Sequence, residues 1–160
     1  MADVEAIPAS RSKNMRAIKP RDTKPELIVR QTLHARGFRF RLCPPNLPGK
    51  PDIWLPKYNA VIFVNGCFWH LHQCHLSHIP KTRCEFWFNK LTSNADRDKR
   101  NIRKLLASHI RVLVIWEYAL KGKHSLADTS LMVLICTWLN TAASFAAIDS
   151  DGLTIKDTIV

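Results

Sequence analysis

Pro51-Asp52-Ile53-Trp54-Leu55-Pro56-Lys57-Tyr58-Asn59-Ala60-Val61-Ile62-Phe63-Val64-Asn65 holds two apolar runs separated by a proline-bearing turn. Residues 52–55 read as a short strand, 56–59 as a turn and 60–65 as an apolar strand. If the two runs pair across the turn, Asp52 lies opposite about residue 64. Directly opposed residues share a face. Asp52 then sits beside the end of the apolar strand, next to Val64, Asn65 and the loop that follows.

Further elements extend this pair in both directions. Upstream, Phe38-Arg39-Phe40-Arg41-Leu42 alternates as a half-buried strand does. Before it, Thr23-Lys24-Pro25-Glu26 matches a capping box, so a helix is expected to about Arg36, with Gly37 as its stop. Residues 43–50, with their prolines and Gly49, read as a loop. Downstream, 66–83 is an irregular loop rich in His, Cys and aromatic residues. A long helix is expected over 84–108, a buried strand over Arg111–Trp116 and a last helix over 125–140; the tail beyond is weakly specified. The order helix, three strands, helix, strand, helix predicts an α/β protein with a central mixed β-sheet flanked by helices.

The formal net charge is +11 and the sequence pI about 9.8, which favours an anionic partner such as nucleic acid. The charge is concentrated rather than spread: residues 1–50 carry 11 Lys/Arg against 4 Asp/Glu, and residues 81–104 carry 8 against 3. Phosphate contacts need such a footprint. Residues 1–22 are polar and basic and read as an N-terminal arm that orders on a partner, although a frayed terminus has the same composition. Residues 23–160 read as a single domain. No stretch approaches a membrane span and none resembles a secretory signal. Five cysteines, odd in number and unevenly spaced, argue against a disulfide framework. A cytoplasmic protein is therefore expected.

Three groups of residues carry chemistry. The first is Asp52. Phosphodiester hydrolysis uses a divalent cation, and carboxylates hold Mg²⁺ well. Asp52 could share such an ion with the Val64 main-chain carbonyl; the plain alternative is a solvated loop residue. His70, shortly downstream, suits a general base or a proton donor, but also a zinc ligand or an ordinary surface histidine. Glu26 is explained locally by the capping box, and could also project from the helix start and hold a water ligand of the metal.

The second group is Cys67-Phe68-Trp69-His70-Leu71-His72-Gln73-Cys74-His75, with thiolate and imidazole donors suited to a structural Zn²⁺. A fourth donor is open among Cys84, His75, His78 and a residue near 111–118. The third is aromatic and basic. Phe68, Trp69 and Trp87 are candidate wedges between base steps, because unstacking is easier at a mismatch; the plain alternative is that they are core or cover the zinc. Phe86 and Phe88 read as core or as cover for the zinc. Lys90 and Asn94 lie on the long helix among cations that meet phosphates or pair with Asp96 and Asp98. Met15 lies in the arm.

Taken together, Arg11-Ser12-Lys13-Asn14-Met15-Arg16-Ala17-Ile18, Leu47-Pro48-Gly49-Lys50-Pro51-Asp52, Val61-Ile62-Phe63, Gly66-Cys67-Phe68-Trp69-His70, Glu85-Phe86-Trp87 and Arg111-Val112-Leu113 with Trp116-Glu117 resemble the very-short-patch-repair (Vsr) endonucleases. The match runs in order over most of the chain. The resemblance implies a restriction-endonuclease-like core of the PD-(D/E)xK type with a structural zinc loop. It implies Mg²⁺-dependent nicking of one strand 5′ to the T of a T·G mismatch, in the repair of deaminated 5-methylcytosine. By matching motif, Asp52 is the metal-binding carboxylate, with the Val64 carbonyl beside it. His70 is the catalytic imidazole, Glu26 an assisting acid, and Cys67, His72 and Cys74 are zinc ligands. Phe68, Trp69 and Trp87 intercalate, and Met15 and Ile18 grip the other groove. Asn65 stands where the family often has His or Asp, and can hydrogen-bond a water but not take its proton. Tyr118 stands where the family can have a zinc-binding Cys. The implied partners are duplex DNA with a T·G mismatch and mismatch-repair proteins; the implied setting is a monomer in the bacterial cytoplasm, associated with the nucleoid. Two other functions fit the residues: a zinc-stabilised DNA-binding module without catalysis, and a restriction-type nuclease cutting matched duplex.

Overall fold

The apolar run Ala60–Asn65 forms β3, the third strand of a six-stranded mixed sheet. The computed structural model describes residues 22–70, 72 and 79–156. Helix α1 (Lys24–Ala35) is followed by β1 (Arg41–Leu42), β2 (Ile53–Leu55), a 3-10 turn at Pro56–Tyr58 and β3. Then come α2 (Cys84–Ala107), β4 (Arg111–Trp116), a short α3 (Glu117–Leu120), α4 (Asp128–Leu139), β5 (Phe145–Asp149) and β6 (Gly152–Ile155). The strands lie side by side in chain order. β3, β4 and β5 are mutually parallel, and the pairs β1–β2, β2–β3 and β5–β6 are antiparallel.

Side chains alternate across a strand, and β3 uses both faces. Ala60, Ile62 and Val64 pack with Val29 and Leu33 of α1 and with Leu131, Ile135 and Trp138 of α4. Val61 packs on the other face with Ile102 and Leu105 of α2 and with Val112 and Val114 of β4. A strand covered by helices on both sides has no solvent face, hence its continuous apolar sequence. At the start of β4, the Arg111 guanidinium donates to the carbonyls of Trp138 at 2.6 Å, Leu139 at 3.1 Å, Thr141 at 3.0 Å and Ala143 at 3.2 Å. It thus gathers four carbonyls around the end of α4 and ties that helix to the parallel strands.

Several expectations are corrected. The strand expected over 38–42 is only Arg41–Leu42, and both residues are exposed. Phe38 and Phe40 pack against the core from coil, and Cys43, at φ 45, ends the strand in a left-handed turn. The tail supplies the two strands β5 and β6, so the sheet is wider than expected. Their hairpin closes at Asp149↔Gly152, and Gly152 at φ 118 adopts a conformation that suits glycine. The last helix is Asp128–Leu139, shorter at both ends than expected. The closing pair of the β2–β3 hairpin is Leu55↔Ala60, which puts Asp52 level with Phe63, one residue short of Val64.

Candidate active site and nucleic-acid interface

Two main-chain features bring Asp52 to the sheet edge. The Asp52 carbonyl accepts from the Cys43 amide at 3.1 Å, which ties it to the end of β1. Gly49, at φ +77, lies so close to α2 that a Cβ there would stand 3.0 Å from Cβ of Asn101. Only glycine suits both the angle and the approach. The loop therefore delivers Asp52 at a fixed place between β1, β2 and α2.

The β2–β3 ladder stops at Ile53↔Ile62. Val64, two residues further along β3, has no β2 carbonyl to receive its amide. The Asp52 side chain takes that place, and Oδ2 accepts from Val64 N–H at 2.7 Å. In an extended strand the N–H and C=O of one residue point to the same edge, so the Val64 carbonyl faces this side as well. Burial pushes the Asp52 carboxyl from 3.8 up to about 6; the Val64 amide and the charges of His70 and Arg30 oppose the rise, and the charge of Glu26 adds to it. Asp52 and Glu26 are thus two acids in one field.

Glu26 is nearly fully buried in the first turn of α1, which packs over β3. The cap is half the expected box. Thr23 Oγ1 accepts from the Glu26 amide at 3.5 Å, but the Glu26 carboxylate takes the amide of Asp22 at 2.8 Å rather than that of Thr23. Arg30, one turn on, adds a charged hydrogen bond at 3.1 Å. Arg30 was legible as the residue four positions after Glu26, but the sequence reading did not include it.

His70 follows a turn in which its amide donates to the Gly66 carbonyl at 3.2 Å. Its Nδ1 forms a short hydrogen bond with Asp98 of α2. The expected pairing of Asp98 with cations of its own helix is corrected: Asp98 serves a residue 28 positions away. Holding Nδ1 leaves Nε2 as the free nitrogen of the ring. Asn65 is buried at the end of β3, level with Trp116 of β4. Alternation from Val64 puts its side chain on the α2 face of the sheet.

The aromatic residues form one connected group. Phe68 and Trp69 meet edge to face at 5.0 Å, and both rest on Trp87, at 5.6 and 5.9 Å. Phe68 and Trp69 are half-buried, whereas Trp87 is 6% exposed. Trp87 therefore packs beneath the other two rings. Phe86 and Phe88, expected in the core or as cover for the zinc, are 42% and 54% exposed, so neither lies in the core. Lys90 Nζ stands 5.9 Å from the Trp69 ring, and Asn94 Nδ2 donates to the Trp69 carbonyl at 3.3 Å. Both residues of the long helix thus border the Phe68–Trp69 pair.

Cys67 is fully buried, and its carbonyl accepts from the His72 amide at 3.0 Å. The His72 ring stacks on Trp116 at 4.4 Å, with Tyr118 at 6.4 Å. Burial holds the His72 imidazole below its ordinary pKa, which favours the neutral form that a metal binds. Its Nδ1 is buried without a hydrogen-bond partner. Among the described residues no group of three or more His, Cys, Asp or Glu is placed to hold a metal. Cys74, His75 and His78 lie outside the described residues, as do Met15, Ile18 and the arm to residue 21. No described helix is long and apolar enough to cross a membrane.

Sequence comparison supplies the relatives. The sequence profile described as DNA mismatch endonuclease Vsr matches residues 2–76. The chain is 44% identical over 153 residues to the DNA mismatch endonuclease Vsr of Escherichia coli, covering 96% of this chain and 97% of that one. It is 44% identical to the type II nicking enzyme V.NmeAIP of Neisseria meningitidis, over 72% of this chain and 82% of that one. It is 43% identical to the type II nicking enzyme V.XorIIP of Xanthomonas oryzae, over 69% and 81%.

Proposed function

The chain belongs to the DNA mismatch endonuclease Vsr family, and from that premise we propose that it nicks one strand of duplex DNA 5′ to the T of a T·G mismatch, with Mg²⁺ at Asp52. It is an endodeoxyribonuclease. The nick opens very short patch repair of deaminated 5-methylcytosine. The mixed sheet with Asp52 at the end of β2 is read as a restriction-endonuclease-like (PD-(D/E)xK-type) core. The observation that carries the reading is the Asp52–Val64 hydrogen bond, which fixes a partly buried acid within the field of Glu26 at an open strand end.

Two buried acids in one field suit a divalent cation, which relieves their repulsion. Asp52 and the Val64 carbonyl would hold Mg²⁺ directly, and Glu26 would hold one of its waters. When bound, the ion polarises the scissile phosphate and stabilises charge on the leaving oxygen. His70, with Nδ1 held by Asp98, takes a proton from the attacking water at Nε2 or delivers one to the leaving oxygen. Asn65 orients a water without accepting its proton.

Phe68 and Trp69 enter the base stack, with Trp87 as their support. Unstacking costs a few kcal/mol per step and less at a mismatch, which favours mispaired DNA. Lys90 and Asn94 contact the DNA beside them, and Met15 and Ile18 grip it from the other groove. Cys67, His72 and Cys74 would hold a structural Zn²⁺; the unpartnered His72 Nδ1 and a burial that favours the neutral ring suit that role. Residues 1–22 act as an arm attached to one domain. The protein works as a monomer in the bacterial cytoplasm at the nucleoid, with mismatch-repair proteins as further partners.

The test is a nicking assay on T·G and matched duplexes with Mg²⁺. Wild type should cut one strand of the mismatched duplex. Asp52→Ala should lose more than about 100-fold, beyond the loss usual for residues that only support a metal ligand. Equal activity in the variant would remove Asp52 from the site. Mismatch binding without any nick would favour a DNA-binding module, and cleavage of both strands of matched duplex a restriction-type nuclease.

A further inference from the structure

Glu26 is a charged side chain with 4% of its surface exposed. A carboxylate so placed must be paired and hydrogen-bonded. Among the described residues both of its side-chain hydrogen bonds fall on Oε2, from the Asp22 amide at 2.8 Å and from Arg30 Nη2 at 3.1 Å. Arg30 Nη1 donates in turn to Asp22 Oδ1 at 2.7 Å. One guanidinium therefore closes a ring through two acids and a main-chain amide.

We propose that Arg30 is a positioning residue, whose planar fork locks the Glu26 carboxylate by Oε2 and so reserves Oε1 for the divalent-cation site at Asp52. The proposal rests on the Mg²⁺ reading above. An ordinary ion pair at this helical spacing is exposed and loosely held. Here the side chains of Arg30 and Glu26 are 13% and 6% exposed, and two different nitrogens of the fork engage two different acids. A fork of fixed geometry can orient a carboxylate, whereas an ammonium supplies a point charge.

A competing role would be simple neutralisation, with Arg30 balancing the charges of Glu26 and Asp52, both of which lie in its field. The two roles predict opposite signs. If Arg30 only neutralises, removing it leaves the acids more negative and the cation binds more tightly. If Arg30 positions Glu26, removing it lets the carboxylate swing away and the cation binds more weakly. Lysine separates the roles again, because it keeps the charge and loses the fork.

The experiment compares wild type, Arg30→Lys and Arg30→Met, each bound to T·G duplex. Mn²⁺ binding is followed by electron paramagnetic resonance, and the Mg²⁺ dependence of single-turnover nicking is measured in parallel. Both variants should weaken Mn²⁺ about tenfold or more and raise the half-saturating Mg²⁺ by a similar factor, the range for residues that orient a metal ligand. Duplex binding in EDTA should be unchanged. Wild-type behaviour of Arg30→Lys, or tighter Mn²⁺ binding by Arg30→Met, would overturn the proposal. Should Arg30→Met fail to fold, Asp22→Ala removes the acceptor of Arg30 Nη1, opens the same ring from its other side and should weaken Mn²⁺ in the same direction; no change there overturns the proposal too. A wild type that never nicks counts against the proposed activity, while the Mn²⁺ titration still decides the role of Arg30.

Discussion

The Asp52 carboxylate stands in for a missing strand: Oδ2 accepts the Val64 amide at 2.7 Å, immediately beyond the last β2–β3 pair at Ile53↔Ile62. The acid is thereby held in the plane of the sheet, between the layer of α1 and the layer of α2. An amide that would otherwise be orphaned fixes a charge that burial opposes.

That opposition makes stability depend on pH. The folded Asp52 carboxyl lies at about 6, raised from 3.8 chiefly by burial. Its contribution is favourable below the unfolded value and is lost as pH rises through the folded one. Ionised Asp52 thus opposes folding at pH 8, by up to about 3 kcal/mol from a shift of this size. Asp52→Asn should therefore melt above wild type at pH 8 in EDTA, with the gap closing between pH 6 and 4. A variant that melts below wild type at pH 8 would contradict the burial. Protons also compete with the cation, so the half-saturating Mg²⁺ should rise by up to about tenfold per pH unit below 6.

Asp98 holds His70 by Nδ1. Asp98→Asn should lower the nicking rate about 10- to 100-fold while duplex affinity stays the same. The neighbouring Asp96→Asn, on the exposed surface of α2, serves as the control. Equal rates for the two variants would deny His70 its orienting partner.

The three stacked aromatic residues should separate into two classes. Phe68→Ala and Trp69→Ala should each weaken T·G duplex binding by about 1–3 kcal/mol, the range for a base-stacking ring. Trp87→Ala should lower the stability of the free protein by about 3–5 kcal/mol, as emptying a buried aromatic site does. An unchanged Tm for Trp87→Ala would mean that it does not support the pair.

Zinc content tests the Cys67–His72 turn. Elemental analysis of purified protein should find zinc in wild type and little in Cys67→Ser or His72→Gln. A chelator strong enough to strip the metal should also lower the Tm, because a structural zinc contributes to folding. Zinc retained by both variants would refute the ligand assignment.

The sequence by itself determined the elements whose causes are local. Thr23 and Gly37 bracket α1, with Gly37 at φ 77. The bounds of β3 and β4 follow from their apolar runs. Trp87 shares a buried helical stripe with Leu91, Ile102 and Leu105, so its burial was legible in the 3.6-residue period. Only the tertiary structure decided that Asp52 would meet the Val64 amide and that Asp98 would serve His70. The physical reason is that helix and strand signals lie in neighbouring residues, whereas the partner of a buried charge is whichever group packing brings to it. For Asp52 and His70 those groups lie 12 and 28 positions away, beyond the reach of any local pattern.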